Sequence, residues 1–326
     1  MKSDAEILSL MWNAHTRGEL KSPKGPLSKA MILDHARTAR KPTGERIVPL
    51  SLFESRVVPM DKRPMRFDAM PKVPLPDPKQ SRAVMVVAIG AKAEAELVIS
   101  RPLMQAYAER YGADYLEFTE LPPMNHLCGY KYVLAQVAKN YEQTLLLDAD
   151  VIVMPDAPDI FREVPVRKWG LVDDLQNLCV SGGTAWLTDE FNEQADSLGL
   201  PRIQMTRAWN SGLVVAPTDA FREYYPPPGD VPAVWCAEQH WHTYCLLRSG
   251  RVVDLDLCWQ AGFPWINFPE AVKTAHFVHI NGCHGPHEVR LSFMRHFAAG
   301  HRTISSKLRA LFDGTFYSPW WILNGL

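Results

Sequence analysis

Asp148 and Asp150 stand one residue apart in the stretch Leu145-Leu146-Leu147-Asp148-Ala149-Asp150, and the apolar run Val151 to Met154 follows directly. Two carboxylates in an apolar setting lose hydration and repel each other, a cost that an arriving metal ion removes. No cationic residue neighbours them in the sequence to do so instead. Read as one strand, the segment turns both acids to the same face, because alternate residues share a face. Both can then hold one hard divalent cation, which prefers oxygen ligands and can bridge to substrate phosphates. The pair predicts a metal-diphosphate site. The alternative is a strand end capped by two solvated acids.

The elements around the pair favour the site. Gly129 to Asn140 reads as an amphipathic helix, and Tyr141-Glu142-Gln143 leads from it into an apolar run that fits a buried parallel strand. Carboxylates at the carboxyl end of such a strand lie where open α/β sheets bind ligands. Upstream, Arg82 to Gly90 is a buried strand ending at glycine, a helix follows to about Tyr111, and Asp114 to Phe118 is a second strand. Downstream, Trp169 to Asp174 is a further strand ending in acids, of which Asp174 is expected to face solvent. Strands alternating with helices predict an α/β fold with a doubly wound, mainly parallel sheet flanked by helices.

Four further patches add chemistry. Trp209-Asn210-Ser211-Gly212 is an Asn-Ser-Gly turn entering the strand Leu213-Val214-Val215, and Ala237-Glu238-Gln239-His240 opens a helix. His276 to Pro286 puts histidines on a strand and in the glycine-bearing turn after it, where His276 and His279, three apart, face opposite sides. Lys131 lies seventeen residues before Asp148.

In this order, the motifs resemble retaining glycosyltransferases of the GT-A fold, the group containing glycogenin and the bacterial lipopolysaccharide galactosyltransferases. The resemblance covers roughly residues 83 to 290. It implies a transferase that moves a sugar, UDP-linked hexose above all, from a nucleotide donor with retention of anomeric configuration. It also implies that Asp148, Asp150 and His279 hold Mn²⁺ (or Mg²⁺), a mixed oxygen and nitrogen set that suits manganese. By the same resemblance Lys131 takes the place of a basic residue near the diphosphate and donor sugar. Asp173 matches an acid that bonds sugar hydroxyls, Asn210 lies beside the donor, and Glu238-Gln239 stand where the family has Asp-Gln beside the anomeric carbon. Ala88 and Gly90 end the strand at the donor, and Gly282 and His284 fall in the phosphate-binding turn, where histidine replaces the family's lysine. The first strand also ends without the acidic or asparagine residue often found at the nucleobase.

Composition bounds the rest. The chain has 326 residues, no run of eighteen apolar residues and no apolar signal core after Met1-Lys2-Ser3-Asp4, so a cytoplasmic protein without a transmembrane segment is expected. Its six scattered cysteines read as free thiols. Residues 1–82 carry 16 Lys and Arg against 9 Asp and Glu, whereas residues 83–326 carry 19 against 27. The basic segment therefore clamps onto its own acidic body, the expectation adopted here, or meets an anionic partner such as nucleic acid or a membrane. Within it, a capping box from Ser3 to Glu6 starts a helix at about 4–15, a second helix covers Leu27 to Arg40, and a proline-rich connector follows. Three parts result: the extension 1–82, a transferase domain 83–290 and a tail 291–326. The aromatic stretch Phe316 to Leu323 packs on the body or on another subunit of a homo-oligomer, or touches a membrane. His240, Trp241 and His242 are expected to serve helix packing. Competing readings are a nucleotidyltransferase, which would want a better phosphate loop than Gly90-Ala91-Lys92, and a transferase-like protein acting on nucleic acid. The acceptor is open among glycan, protein, lipid-linked saccharide and modified nucleic acid.

Overall fold

The computed structural model describes residues 66–67, 69–173, 192–204, 206–231, 237–263, 271–281, 287–305 and 308. The expected helices at 4–15 and 27–40, Asp174, Gly282, His284 and the aromatic tail lie outside them. Among the described residues no helix is long and apolar enough to cross a membrane.

The sheet begins with β1 (Arg82–Val87), from which α1 (Ala91–Arg110) returns the chain to β2 (Asp114–Phe118). β3 (Gln143–Asp148) then lies on the other side of β1, and both neighbours run parallel to it. Strand alternation splits the side chains cleanly. Val84, Val86, Leu145 and Leu147 face α1, with Met104 and Tyr107, while Ala83, Met85 and Leu146 face the opposite core with Leu134 and Val137. The sheet continues through β5 (Trp169–Asp173), β6 (Trp209–Pro217) and β7 (Val252–Leu255) in the order β2-β1-β3-β6-β5-β7. It is a mixed α/β architecture with a mainly parallel central sheet, in which β6 runs antiparallel to both β3 and β5.

Three local expectations are corrected. The apolar residues after Asp150 do not prolong β3: β4 (Val151–Val153) joins a second sheet with β8 (Ala261–Phe263) and β9 (Phe277–Ile280), in the order β4-β9-β8. Asp150 therefore sits in the turn between two sheets, not on the strand. Secondly, Gly129 to Asn140 is not one α-helix but a 3₁₀ turn Leu127–Val133, a short α segment Leu134–Val137 and a 3₁₀ turn Ala138–Asn140. Tighter winding lets Lys131 reach Asp148 while Tyr132 and Val133 enter the core. Thirdly, Asn210, Ser211 and Gly212 already belong to β6 instead of a turn before it: pairing with β3 ends at Leu213, but β5 continues past a register irregularity to pair Asp173 with Trp209.

The small sheet is covered by the helix His287–Ala298. α2 (Ala237–Ser249) lies beside β6, and α3 (His287–Ala298) buries Phe293, Met294 and Phe297 with Ile152, Val278 and Ile280. Cys128, Cys245 and Cys258 are free thiols. Their three counterparts, Cys179, Cys236 and Cys283, are outside the described residues.

Candidate metal centre

The centre forms where the strand order reverses. β1 connects to β2 on one side while β3 flanks it on the other, leaving a crevice at their carboxyl ends, the place where such sheets bind ligands. Val87 is paired with Asp148 at this edge, and Gly90, with a positive φ of 90°, turns the chain from β1 into α1.

Three elements deliver the ligand-type side chains. Asp148 ends β3, Asp150 follows in the turn, and His279 comes from β9, held in register opposite Val151. One donor atom from each of Asp148, Asp150 and His279 lies within 4.8 Å of the other two. His279 Nε2 is 3.3 Å from Asp150 Oδ1 and 3.9 Å from Asp148 Oδ2. Behind the ring, the Gln260 amide nitrogen lies 2.7 Å from His279 Nδ1 and donates to Asn210 Oδ1 at 2.8 Å. Asn210 Oδ1 also accepts from the Gly212 amide at 2.7 Å. The glycine is required here by space: a Cβ at Gly212 would stand 2.3 Å from His279 Cε1. His276, expected on the same strand, instead lies just before β9 and meets Trp259 edge-on.

The expectation of an acid pair without a cation is wrong for the folded chain. Lys131 Nζ donates to Asp148 Oδ2 at 2.8 Å, and the Arg290 guanidinium donates to Asp150 Oδ2 at 3.0 Å. Each carboxylate thus keeps an oxygen for another partner. Asp150 Oδ1 is buried and has no hydrogen-bond partner among the described residues. A buried carboxylate oxygen that accepts no hydrogen bond and faces an imidazole and a second carboxylate is a donor set that fits a small divalent cation.

Burial pushes the Asp148 carboxyl up, against the pull of Lys131, whereas burial of Asp150 is overcome by His279 and Arg290, which hold its carboxyl low. For His279, burial is outweighed by Asp150 and then Asp148, and its pKa rises. A positive charge is therefore favoured between the acids, and a bound cation would replace the imidazole proton. Lys131 behaves alike: burial disfavours its charge, but Asp148 and Glu238 hold the pKa above its ordinary value.

A polar wall continues from the centre. Lys131 Nζ also donates to the Ser211 carbonyl at 3.2 Å and to Ser211 Oγ at 3.1 Å. Ser211 Oγ donates to Glu238 Oε1 at 3.3 Å, and Gln239 Oε1 accepts from the Ser211 amide at 3.4 Å. Lys131, Asn210, Glu238 and Gln239 are thereby gathered around one end of β6. Asp173 lies on the neighbouring strand, where Oδ1 accepts from the Ala208 amide at 2.9 Å and Oδ2 is 3.6 Å from Arg207 Nε. Ala88 is buried just past the end of β1. His240 and His242 are buried in the helix packing, with His242 edge-on to Trp169 and Tyr224.

Sequence reading missed Glu96, Gln260, Arg290 and the part played by Ser211. Glu96 and Arg290 carried a signal. Each stands on the buried stripe of its helix, Glu96 with Ser100, Met104 and Tyr107, and Arg290 with Phe293, Met294 and Phe297. A charge in such a stripe must have a buried partner.

No protein-family model and no curated protein sequence matches this chain. Solved structures similar to it include a glycosyltransferase involved in the glycosylation of the major capsid of PBCV-1, at 17% identity and a TM-score of 0.44, covering 65% of this chain and 98% of that one. Others are the bifunctional glycosyltransferase WbbM without ligand, at 12% and 0.42, covering 64% and 47% of the two chains, and mouse xyloside xylosyltransferase 1 in its apo form, at 10% and 0.35, covering 62% and 98%. Likenesses this distant fix no activity, which has to come from the side chains themselves.

Proposed function

We propose that the chain is a metal-dependent glycosyltransferase that takes a sugar from a nucleotide donor, a UDP-hexose first of all, and transfers it with retention. The convergence of Asp148, Asp150 and His279 at the sheet's switch point, with Asp150 Oδ1 turned to His279 and accepting no hydrogen bond among the described residues, carries this reading. The order of the sequence motifs supports it. Bound there, Mn²⁺ or Mg²⁺ would neutralise a diphosphate leaving group.

The protein's own groups divide the remaining work. Lys131, charged and anchored on Asp148 and Ser211, stabilises negative charge as the nucleoside diphosphate departs. Glu238 and Gln239, fixed around Ser211, present oxygen to the electron-poor anomeric carbon. Asn210 positions the donor and Asp173 accepts from its hydroxyls, while Ala88 and Gly90 leave room at the end of β1 for the nucleoside. Gly282 and His284, outside the described residues, are assigned to the phosphates by the resemblance alone. Retention requires that donor and acceptor bonds be broken and made on the same face of the sugar, or by two successive inversions.

The test is incubation of the full chain with Mn²⁺ and a panel of nucleotide sugars, read by mass spectrometry, with NMR of the product's anomeric proton. Consumption of one donor with release of nucleoside diphosphate and a retained anomer is the expected result. An inverted product removes retention from the proposal, and a panel left wholly intact removes the activity.

A further inference from the structure

We infer that Arg290 and Glu96 form a buried positioning pair that aims Asp150 at the cation while cancelling the charge that would otherwise repel it. The inference rests on the metal-centre reading above. Arg290 is 3% exposed and Glu96 is 6% exposed, so neither is a surface charge that water could satisfy. One guanidinium joins Asp150, Glu96 and the Ile280 carbonyl. Its NH2 group is 3.0 Å from Asp150 Oδ2 and 2.6 Å from Glu96 Oε1, and both NH2 and Nε donate to the carbonyl of Ile280, at 3.2 and 3.3 Å. Ile280 adjoins His279, and its amide donates to the Asp150 carbonyl at 3.0 Å. Arg290 therefore ties the side chain of one proposed ligand to the strand carrying another, and leaves Asp150 Oδ1 for the ion.

An arginine alone in that position would be a poor choice. A buried guanidinium about 3 Å from a ligand carboxylate repels an arriving divalent cation, and low-dielectric surroundings magnify the repulsion. Glu96, reaching in from α1, supplies the opposite charge at the same guanidinium nitrogen that meets Asp150, and His287 Nε2 lies 3.1 Å from the same Glu96 carboxylate oxygen. What makes the arginine specific is the second bond from Nε to the Ile280 carbonyl, which fixes the plane of the guanidinium and which a lysine ammonium, with a single nitrogen, does not supply. Glu96 and Arg290 are thus positioning residues, two steps and one step removed from the cation.

The measurement is Mn²⁺ affinity of the full chain by electron paramagnetic resonance, using Mn²⁺ alone as probe, at about pH 8, above the Glu96 carboxyl, which burial and Asp150 push up to about 7. Glu96→Gln keeps shape and loses charge; it is expected to weaken Mn²⁺ binding by about ten- to hundredfold, the range for groups that orient metal ligands. In an Arg290→Met background, where no guanidinium charge remains to cancel, the same change should matter less than about threefold. Should Arg290→Met fail to fold, Glu96→Gln and Arg290→Lys decide alone, and both must weaken Mn²⁺ binding at a temperature where circular dichroism shows the metal-free variant folded. Wild-type-like affinity in Glu96→Gln overturns the inference, as does an equal loss in both backgrounds. Wild-type protein that takes up no Mn²⁺, or Asp150→Ala that binds it unchanged, instead brings down the metal-centre reading on which the pair depends.

Discussion

The two acids of the pair are unlike in their surroundings, and substitution should separate them. Asp150 neutralises a buried arginine, so Asp150→Ala removes a proposed cation ligand and also strands part of the Arg290 charge; breaking a buried pair this way costs about 3 kcal/mol or more. Asp148 pairs with Lys131 at a partly open position, and Asp148→Ala should cost clearly less in stability. Urea denaturation of both metal-free variants checks the order, and equal midpoints would contradict it. Donor turnover should be lost in both. The sequence could name Asp148, Asp150 and His279 because their types and order carry the chemistry. That Lys131 and Arg290 pair with these acids was not legible from it, since both reach them only through folding. Gly212 illustrates the same limit: the sequence shows an Asn-Ser-Gly motif, but only the packed strand shows that the glycine makes room for the His279 ring. Gly212→Ala should cost about 1–3 kcal/mol by overpacking and displace His279. Its Mn²⁺ affinity should fall accordingly, and an unchanged affinity would show the ring is not held there.

At the scale of elements, α2 carries a pH liability apart from the metal centre. Burial lowers the pKa of His240 to about 4, and burial with the nearby Lys131 charge lowers that of His242 to about 3. Both values lie below the ordinary 6.5, so the histidines cost nothing above that pH. As pH falls through 6.5 the unfolded chain takes up protons that the folded chain refuses, and stability declines until the folded values are reached. Each histidine contributes up to about 1.4 kcal/mol per pH unit in that window. His279, whose pKa is raised, contributes with the opposite sign, so the cleanest test is a difference. His242→Phe preserves the aromatic contacts with Trp169 and Tyr224, and should lose about 2 kcal/mol less than wild type between pH 6.5 and 5 in urea titrations. Identical pH slopes would show that His242 is protonated in the folded state. The strands β1, β2 and β5 and the helices α1 and α2 were legible because each has enough residues for its periodicity to speak. Residues 127–140 were harder: a 3₁₀ winding differs from an α-helix by a fraction of a residue per turn, too little for a short pattern to resolve.

Over the whole molecule, the candidate centre bridges two sheets. Asp148 belongs to the six-stranded sheet and His279 to the three-stranded one, with Asp150 in the turn joining them. This division could not be read locally, because the pairing of Val151 with His279 spans most of the domain and the strands of the small sheet have three or four residues each. A cation binding across the seam should stabilise the fold by mass action, about 2.7 kcal/mol at a hundred times its dissociation constant. Differential scanning calorimetry should therefore record a melting temperature several degrees higher in Mn²⁺, reversed by EDTA and absent in Asp150→Ala. A gain that survives in that variant would place the ion elsewhere. The central claim, that Asp148, Asp150 and His279 hold a cation which in turn holds a donor diphosphate, is tested most directly by calorimetric titration of UDP into the full chain with Mn²⁺ and with EDTA. Binding in Mn²⁺ that disappears in EDTA and in Asp148→Ala is the predicted result; UDP binding that is equally tight in EDTA, or absent under both conditions, would contradict it.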